Sequence, residues 1–236
     1  MAVPGTPEPN IIIVPGHTLP SQPWWKALHL TIQQAFKAKN HDVFPPSWNR
    51  LPERSKEAAE RLKEELGPDG VIAVVLLVDR PIACAGVLPF RGLEYFDEAQ
   101  SAFEKRTADQ TPVTTTADET PEDEPSPATV PNLSALPPSD KPGQDWELCC
   151  VCVHPIHRRV GLSPKLLRAL IDYIKPLGAR RLMATYAVNE TGQYWPNMGF
   201  EVVEGAGATL KKGFTHTEGM EGLKEDVKFA LGVKEL

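Results

Sequence analysis

The chain is 236 residues long, 41% of them hydrophobic and 24% charged, with a formal net charge of -6. It is long enough to form one large domain or two small ones around a sizeable hydrophobic core. The negative charge argues against a general affinity for nucleic acid or for an anionic membrane surface, and a mildly acidic surface favours cationic partners such as amines.

The cysteines predict a reducing compartment. There are four of them, and three stand in the stretch CCVC as Cys149, Cys150 and Cys152. Neighbours at this spacing do not pair readily with one another, so a disulfide scaffold is not expected. The opening MAVPGTPEPN lacks the pattern of a secretory signal, and no apolar run approaches the roughly twenty residues of a membrane span. We therefore expect a cytoplasmic protein, or one shared between nucleus and cytoplasm.

The N-terminal part predicts a strand, two helices and a hairpin. Residues 10–16, NIIIVPG, are an apolar run that ends in a Pro-Gly pair. Residues 24–39 place hydrophobic side chains at helical spacing, and residues 53–67 predict a second helix that ends at glycine. Residues 70–90 contain two apolar runs on either side of a DRP turn, which predicts a hairpin of buried strands.

The segment 107–143 differs in composition from the rest of the chain. It is rich in Pro, Thr, Asp and Glu and has only scattered apolar residues. Such a segment cannot bury enough apolar area to offset the entropy of ordering it. We expect a disordered acidic insertion within the domain, acting as a spacer, a partner tether, a gate for substrate or a phosphorylation site.

The second half predicts alternating strands and helices. We expect strands over 145–153, 179–188, 200–205 and 226–233, a helix over 164–177 and a short helix within 189–200. Helices that connect successive strands suit parallel pairing. The fold class predicted is therefore mixed α/β, with a twisted six- or seven-stranded sheet flanked by helices, in one domain spanning residues 1–236.

The junction VHPIHRRVGLSPKLLRAL, residues 153–170, is the part most informative about function. A helix that begins after Gly161 exposes backbone N–H groups and the positive end of its dipole. Ser163 and the proline after it fit an N-cap and a first helical position, and two full charges stand beside the turn as Arg158 and Arg159. A basic surface patch, a metal site or a phosphate cradle would each explain these residues, and their combination favours phosphate.

The same stretch resembles the acyl-CoA-binding motif of the GNAT superfamily of N-acyltransferases, where a strand ending in V-x-P precedes Q/R-x-x-G-x-G/A and a helix. Arg158 matches the Gln/Arg position, Gly161 the diagnostic glycine and Ser163 the final Gly/Ala. Downstream, NETGQYWPNMGF (189–200) is similar to the second signature of the superfamily. The resemblance extends over about 10–88 and 145–233 and does not cover the acidic insertion.

This resemblance implies a GNAT-like fold and acetyl-CoA as the cofactor. The strand segment 149–153 would hydrogen-bond the pantetheine arm through its backbone, and the following turn would receive the pyrophosphate. Two departures weaken the match: Pro164 removes one N–H from the helix start, and the serine adds bulk where the motif has Gly or Ala. The implied cofactor-binding residues are Cys150, Val151, Cys152, Val153, Arg158, Arg159, Val160, Gly161, Leu162, Ser163 and Asn189.

Glu147 is the candidate general base. It matches a position where several GNAT members carry a base glutamate, and strand alternation predicts that it shares one face with Cys149, Val151 and Val153. A carboxylate in such an apolar row has a raised pKa, which suits a base near neutral pH. A solvent-exposed glutamate at a strand start is the alternative.

Tyr194 is the candidate general acid. The usual tyrosine of the family stands four residues before the glycine of the second signature, and here that position holds Trp195. The shift of one residue turns a helical side chain by about 100°, which favours a core position for Tyr194. Solvent can protonate a thiolate of pKa about 8–9, so the acid is dispensable in principle.

Two further hypotheses concern metal and acceptor. Cys149, Cys150 and Cys152, with two nearby histidines, suggest zinc, but no paired C-x-x-C is present and buried thiols are the commoner role, so no metal site is predicted. Trp24 and Trp25 are the predicted substrate-binding residues, because the resemblance puts this region, with Trp48, on one wall of the acceptor site. Core packing is the default for each.

The predicted function is an N-acetyltransferase that moves an acetyl group from acetyl-CoA to a primary amine of a small molecule or peptide, by direct attack in a ternary complex. A catalytically silent acyl-CoA-binding or interaction module is the alternative, favoured by the displaced tyrosine and the acidic insertion. The identity of the acceptor and the oligomeric state, dimer included, stay open.

Overall fold

The computed structural model describes residues 8–91, 143–214 and 221–236. The insertion predicted over 107–143 lies outside the described residues apart from Gly143. No helix in the described ranges combines the length and the hydrophobicity that crossing a bilayer requires.

One sheet of eight strands organises the described part of the chain. Its order is β1-β2-β3-β4-β5-β8-β6, and β7 also pairs with β8. The strands are β1 (Asn10–Pro15), β2 (Val71–Leu77), β3 (Arg80–Pro89), β4 (Asp145–Val153), β5 (Arg181–Ala187), β6 (Glu201–Val202), β7 (Ala208–Leu210) and β8 (Val227–Glu235). The predicted mixed α/β fold is confirmed, with one strand more than expected, because β7 is too short to leave a period-two pattern.

Helices cover both faces of the sheet. They are α1 (Trp25–Lys37), α2 (Ser55–Leu66), α3 (Leu162–Ile174), α4 (Val188–Thr191) and α5 (Tyr194–Asn197), with 3₁₀ turns at Gly16–Ser21, Pro155–His157 and Lys175–Leu177. Helices α1 and α2 pack with one hydrophobic cluster, and α3 packs with the other. Strand β4 contributes residues to both clusters, so it lies between the two layers.

The pairing of β4 with β5 opens the sheet at its centre. The two strands are parallel, but only Asp145, Trp146 and Glu147 pair, with Arg181, Leu182 and Met183. Beyond Glu147 neither strand pairs with the other, although β4 continues to Val153. The strands therefore part and leave a gap in the ladder between them.

A β-bulge in β4 accompanies this separation. In the antiparallel register with β3, Cys84 faces Cys152 and Gly86 faces Cys149, so one β3 residue opposes two β4 residues. At the bulge Cys150 has a φ of 47°, in the left-handed region that a cysteine rarely adopts. The bulge changes which way the following side chains point.

The predicted facing of β4 is therefore wrong beyond the bulge. Val151 and Val153 pack with the α3 cluster, whereas Cys149 packs with the α1–α2 cluster. The expected common face of Glu147, Cys149, Val151 and Val153 assumed strict alternation, and one inserted residue reverses it. The same bulge puts Cys150 on the side of Cys149.

Candidate active site

A narrow cleft lies on the α3 side of the sheet, between β3, the part of β4 beyond Glu147, α3 and α5. Its wall is almost wholly apolar. The lining residues are Ala85, Leu148, Val151, Ser163, Leu167, Tyr194 and Trp195.

Glu147 lies at the closed end of the gap between β4 and β5, where the pairing of the two strands ends. Its partner Met183 is the last residue of β5 that pairs with β4. Burial raises the pKa of Glu147 to about 7, with an added rise from the negative charge of Glu65 and an opposing effect of Arg91. The predicted rise of the pKa is confirmed, and the carboxyl titrates in the range that a general base at neutral pH needs.

The charged neighbours of Glu147 are Glu65 on α2 and Arg91 after β3, and sequence reasoning missed them. Arg50, in the loop between α1 and α2, forms an ion pair with Glu65 on α2, and both side chains are 26% exposed. Arg91 donates a hydrogen bond to the backbone carbonyl of Glu65. The sequence carried no signal for this cluster, because its members come from three separate segments.

The turn before α3 leaves several backbone donors unused. Gly161 caps the helix with a φ of 77°, and Arg159 also has a positive φ, 65°. The N–H groups of Arg159, Val160 and Gly161 have no backbone acceptor among the described residues. A Cβ built on Gly161 meets nothing within 4 Å, so the space in front of the turn is open. These features together suit an anion that approaches the backbone.

The predicted cap at Ser163 is wrong, because α3 begins at Leu162 and Gly161 is its N-cap. Pro164 therefore stands in the first turn, where its missing N–H leaves no helical bond unmade. The Ser163 side chain instead lies beside Tyr194 on the wall of the cleft.

Tyr194 lines the cleft, and Trp195 fills the core. Trp195 is 7% exposed, whereas Tyr194 is partly buried beside Ser163. Burial raises the pKa of the Tyr194 hydroxyl, and the nearby Ser163 hydroxyl partly offsets this rise. The expectation of a core tyrosine holds in part: Tyr194 packs against the α3 cluster and also lines the cleft.

The fold described above agrees with the comparison of the sequence with known families. The model of the acetyltransferase (GNAT) family matches residues 34–200. The chain belongs to the GNAT family. A search of curated protein sequences gives no significant match.

Solved structures of other GNAT proteins share the fold. The polyamine N-acetyltransferase of Drosophila melanogaster, which forms N-acetylagmatine, aligns with a TM-score of 0.55 at 12% identity over 96% of this chain and 100% of that one. The ribosomal-protein-alanine N-acetyltransferase from Brucella melitensis aligns with a TM-score of 0.53 at 15% identity, over 96% of this chain and 99% of that one. The PaiA N-acetyltransferase from Thermoplasma acidophilum, in complex with coenzyme A, aligns with a TM-score of 0.53 at 10% identity, over 97% of this chain and 99% of that one.

Within this GNAT domain the side chain of Arg158 is turned away from the open side of the turn. Its Nη2 donates to the carbonyl of Ala35 at 2.9 Å, and its Nε donates to the carbonyl of Val153 at 3.3 Å. Arg158 thus links the last part of α1 to the end of β4. Arg159 and Val160 are exposed, and Leu162 is buried in the α3 cluster.

The other predicted cofactor residues border the parting strands. Cys150 and Cys152 are buried at 5% and 6% exposure, so only their backbone groups remain to meet a ligand. Val151 and Val153 are partly buried on the α3 face. Asn189 is exposed on α4, directly after β5.

The two tryptophans predicted to bind substrate have unequal positions. Trp25 is 4% exposed, stacks on His29 and donates from its indole nitrogen to the carbonyl of Ser55 at 2.8 Å. It therefore ties α1 to the start of α2 as a core residue, which corrects its assignment to the acceptor site. Trp24 is partly buried, next to it.

The cysteines pack as apolar residues on the α1–α2 side. Cys84 and Cys152 face each other with their sulfurs 3.5 Å apart, and all four thiols are free. Within the described ranges, no group of three or more His, Cys, Asp or Glu side chains is arranged to hold a metal ion.

Proposed function

We propose that this GNAT domain transfers an acetyl group from acetyl-CoA to a primary amine of a small molecule or peptide, by direct attack in a ternary complex. One observation carries the proposal: the carboxyl of Glu147, with a pKa of about 7, lies where β4 and β5 part. The strand that carries the base candidate thereby also forms the edge of the cleft.

The residues present fit an acyl-CoA. The turn before α3 has unused backbone N–H groups and a glycine in front of which a Cβ meets nothing within 4 Å. A pyrophosphate matches this donor set, since helix starts and consecutive N–H groups attract anions. The backbone of β4 beyond Glu147 is not paired with β5, so its groups on that edge are left for the pantetheine arm. When bound, acetyl-CoA supplies the activated acetyl thioester.

We assign the pyrophosphate to the backbone of residues 159–163 and to the charge of Arg159. Arg158 holds the turn in place instead, because its guanidinium is engaged by the carbonyls of Ala35 and Val153. The backbone of residues 150–153 and the side chain of Asn189 complete the proposed cofactor site.

Glu147 accepts the proton that the amine loses, directly or through water. At a pKa of about 7 the carboxyl is ionised in a large fraction of molecules at neutral pH and still basic enough to take up a proton. Tyr194, which lines the cleft on the α3 side, is the proposed general acid. Its pKa is raised by burial, so it carries its proton at neutral pH and can donate it to a leaving thiolate.

The acceptor is an amine by two arguments. A carboxyl base with a pKa near neutrality suits the deprotonation of an ammonium group. Two proteins of the same fold, the polyamine and ribosomal-protein-alanine N-acetyltransferases, act on amines according to their names. Glu147 has Glu65 of helix α2 as a neighbour and shares its side of β4 with Cys149, which packs with the α1–α2 cluster, so we propose that the acceptor approaches from that side.

A thermal-shift assay combined with an assay of CoA release tests the proposal. Acetyl-CoA should raise the Tm, and a panel of polyamines and N-terminal peptides should contain an acceptor that releases CoA. Stabilisation without release for any amine would support the silent acyl-CoA-binding module. No stabilisation by acetyl-CoA or CoA would contradict both functions.

A further inference from the structure

Cys84 on β3 and Cys152 on β4 hold their thiols in contact across the two strands. Their sulfur atoms lie 3.5 Å apart, and both side chains are buried on the α1–α2 side of the sheet. Both cysteines are free, so two reduced thiols face each other. Neither thiol takes part in the proposed acetyl transfer.

The backbone geometry of this pair suits a disulfide. Cys84 and Cys152 are register partners in the antiparallel β3–β4 ladder. Directly opposite residues in such a ladder have Cα atoms about 4.5–5.5 Å apart. A disulfide needs a Cα separation of roughly 4.4–6.8 Å and a sulfur–sulfur bond of about 2.05 Å. Rotation of the side chains and a small approach of the two strands would therefore complete the bond.

The other two cysteines of β4 are less well placed to bond with Cys84. Cys149 is the register partner of Gly86, and its sulfur lies over that glycine, only 2.6 Å from where a Cβ would stand. Cys150 occupies the bulge and has no partner in the β3–β4 register. Its carbonyl oxygen, 3.5 Å away, accepts the weak hydrogen bond of the Cys84 thiol.

Cys152 lies where β4 has support from one side only. Pairing of β4 with β5 ends at Glu147, so the strand around Cys152 is bonded to β3 alone. The bulge, with Cys150 at a φ of 47°, interrupts the β3 ladder in the same stretch. Local opening of such an edge exposes a thiol that is buried in the closed state to a small oxidant.

We propose that Cys84 and Cys152 are a redox pair, which hydrogen peroxide oxidises to a disulfide between β3 and β4, and that this bond weakens the binding of acyl-CoA. The Cys152 thiolate attacks one oxygen of the peroxide, which leaves a sulfenic acid on Cys152 and releases hydroxide that becomes water. The Cys84 sulfur then attacks the sulfenic sulfur, and a second water leaves with the proton of Cys84. Two thiols are thus oxidised to one disulfide, and one peroxide is reduced to two waters.

The order of the two steps follows from the positions of the thiols. Cys84 is fully buried, whereas Cys152 is 6% exposed on the open edge of β4. Contacts with the thiols of Cys150 and Cys152, together with burial, raise the pKa of the Cys84 thiol. Cys84 therefore reacts second, when its contact with Cys152 replaces a diffusional encounter.

The effect on acyl-CoA rests on the proposed function, which assigns the backbone of residues 150–153 to the cofactor. Strand β3 lies on the side of β4 opposite to β5. The disulfide would draw β4 toward β3 and move this backbone away from the gap. Loss of one backbone hydrogen bond to the cofactor would raise the Kd about 3- to 10-fold.

Mass spectrometry of the full-length protein, before and after treatment with hydrogen peroxide, tests the bond itself. The intact mass should fall by two hydrogen atoms, non-reducing peptide maps should link Cys84 to the peptide that contains Cys152, and a thiol reductant should reverse both changes. Cys152→Ala should prevent the link. Cys149→Ala is the matched control, since it removes a neighbouring thiol of the same strand and should leave the link intact.

Titration calorimetry with CoA tests the consequence. The Kd of the wild type should rise about 3- to 10-fold on oxidation and return on reduction. Cys84→Ala, whose substitution lies on β3, should give the same Kd with and without peroxide.

The outcomes separate this inference from the proposed function. Absence of the link in wild-type protein, a link through Cys149 or Cys150, or addition of oxygen atoms in its place would overturn the inference. A Cys84–Cys152 bond that leaves the Kd for CoA unchanged would overturn it as well. If the reduced wild type binds no CoA, the proposed function fails, and the peptide maps alone decide whether the disulfide forms.

Discussion

Asp145 and Arg181 form a two-point ion pair at the closed end of the β4–β5 gap. Nε of Arg181 lies 2.7 Å from Oδ1 of Asp145, and Nη2 lies 2.6 Å from Oδ2. The two residues are also register partners in the parallel ladder. The pair therefore joins the two strands just before they separate.

Removing one member of this pair should destabilise the domain. Asp145→Asn removes the negative member of this buried ion pair, and the free energy of unfolding should fall by about 3–5 kcal/mol in denaturant titrations. Glu57→Gln breaks the exposed Arg54–Glu57 pair, whose side chains are 84% and 56% exposed, and should have a much smaller effect. Equal effects of the two variants would contradict a structural role for the buried pair.

Glu147→Gln should lower kcat roughly a hundredfold or more, the contribution typical of a general base. The base acts when deprotonated, so the wild-type rate should be level above a pKa of about 7 and fall as the pH drops below it. Steady-state rates between pH 5.5 and 9 measure this limb. An unchanged kcat in Glu147→Gln would remove Glu147 from the mechanism.

Glu65→Gln should shift the acid limb of the pH–rate profile to lower pH without abolishing activity. The charge of Glu65 raises the pKa of Glu147, so its removal should lower that pKa and move the acid limb to lower pH. A limb that stays in place would mean that another group controls the rate.

Much of this site follows from residues close together in the sequence. The strand, glycine turn and helix at 153–170 could be predicted because apolar runs, glycine and basic residues follow one another there. Glu147 could be found by counting back along the same strand. The opening between β4 and β5 could not be predicted from the sequence, since it depends on the register of two strands that are separate in the chain.

Other features depend on contacts that local patterns do not encode. The bulge requires Cys150 to adopt a φ of 47°, which nothing in a cysteine side chain favours. Arg158 looked like a phosphate ligand because of its place in the motif, but its partner Ala35 comes from helix α1. Tyr194 both packs against the α3 cluster and lines the cleft, which the pattern around Pro196 left undecided.

Gly161→Ala should weaken the binding of CoA as well as destabilise the fold. A residue with a side chain at φ 77° costs about 1–2 kcal/mol, and its methyl group would enter the open space before the turn. The loss of one charge-assisted bond to phosphate would raise the Kd for CoA at least roughly tenfold. Calorimetry and denaturant titration measure the two effects.

Gly178→Ala is the control for Gly161. Gly178 also has a positive φ, 96°, and open space around a Cβ, but it follows the end of α3. The Gly178→Ala variant should lose stability to a similar degree and keep its affinity for CoA. If both variants lose affinity equally, the turn at Gly161 is not the anion site.

Arg158 and Arg159 should differ when each is replaced by Met. Arg158→Met removes the bonds to Ala35 and Val153 and should lower the free energy of unfolding by about 1 kcal/mol. Arg159→Met should leave stability unchanged and weaken CoA, with a smaller dependence of the Kd on salt. The reverse pattern would make Arg158 the phosphate ligand.

The most direct test of the whole account is mass spectrometry of an amine panel incubated with acetyl-CoA and either wild-type protein or Glu147→Gln at pH 8. The account predicts an amine that gains one acetyl group with release of one CoA, at least roughly a hundredfold faster with the wild type. A wild-type protein that binds acetyl-CoA but acetylates no amine on the panel faster than Glu147→Gln would contradict it.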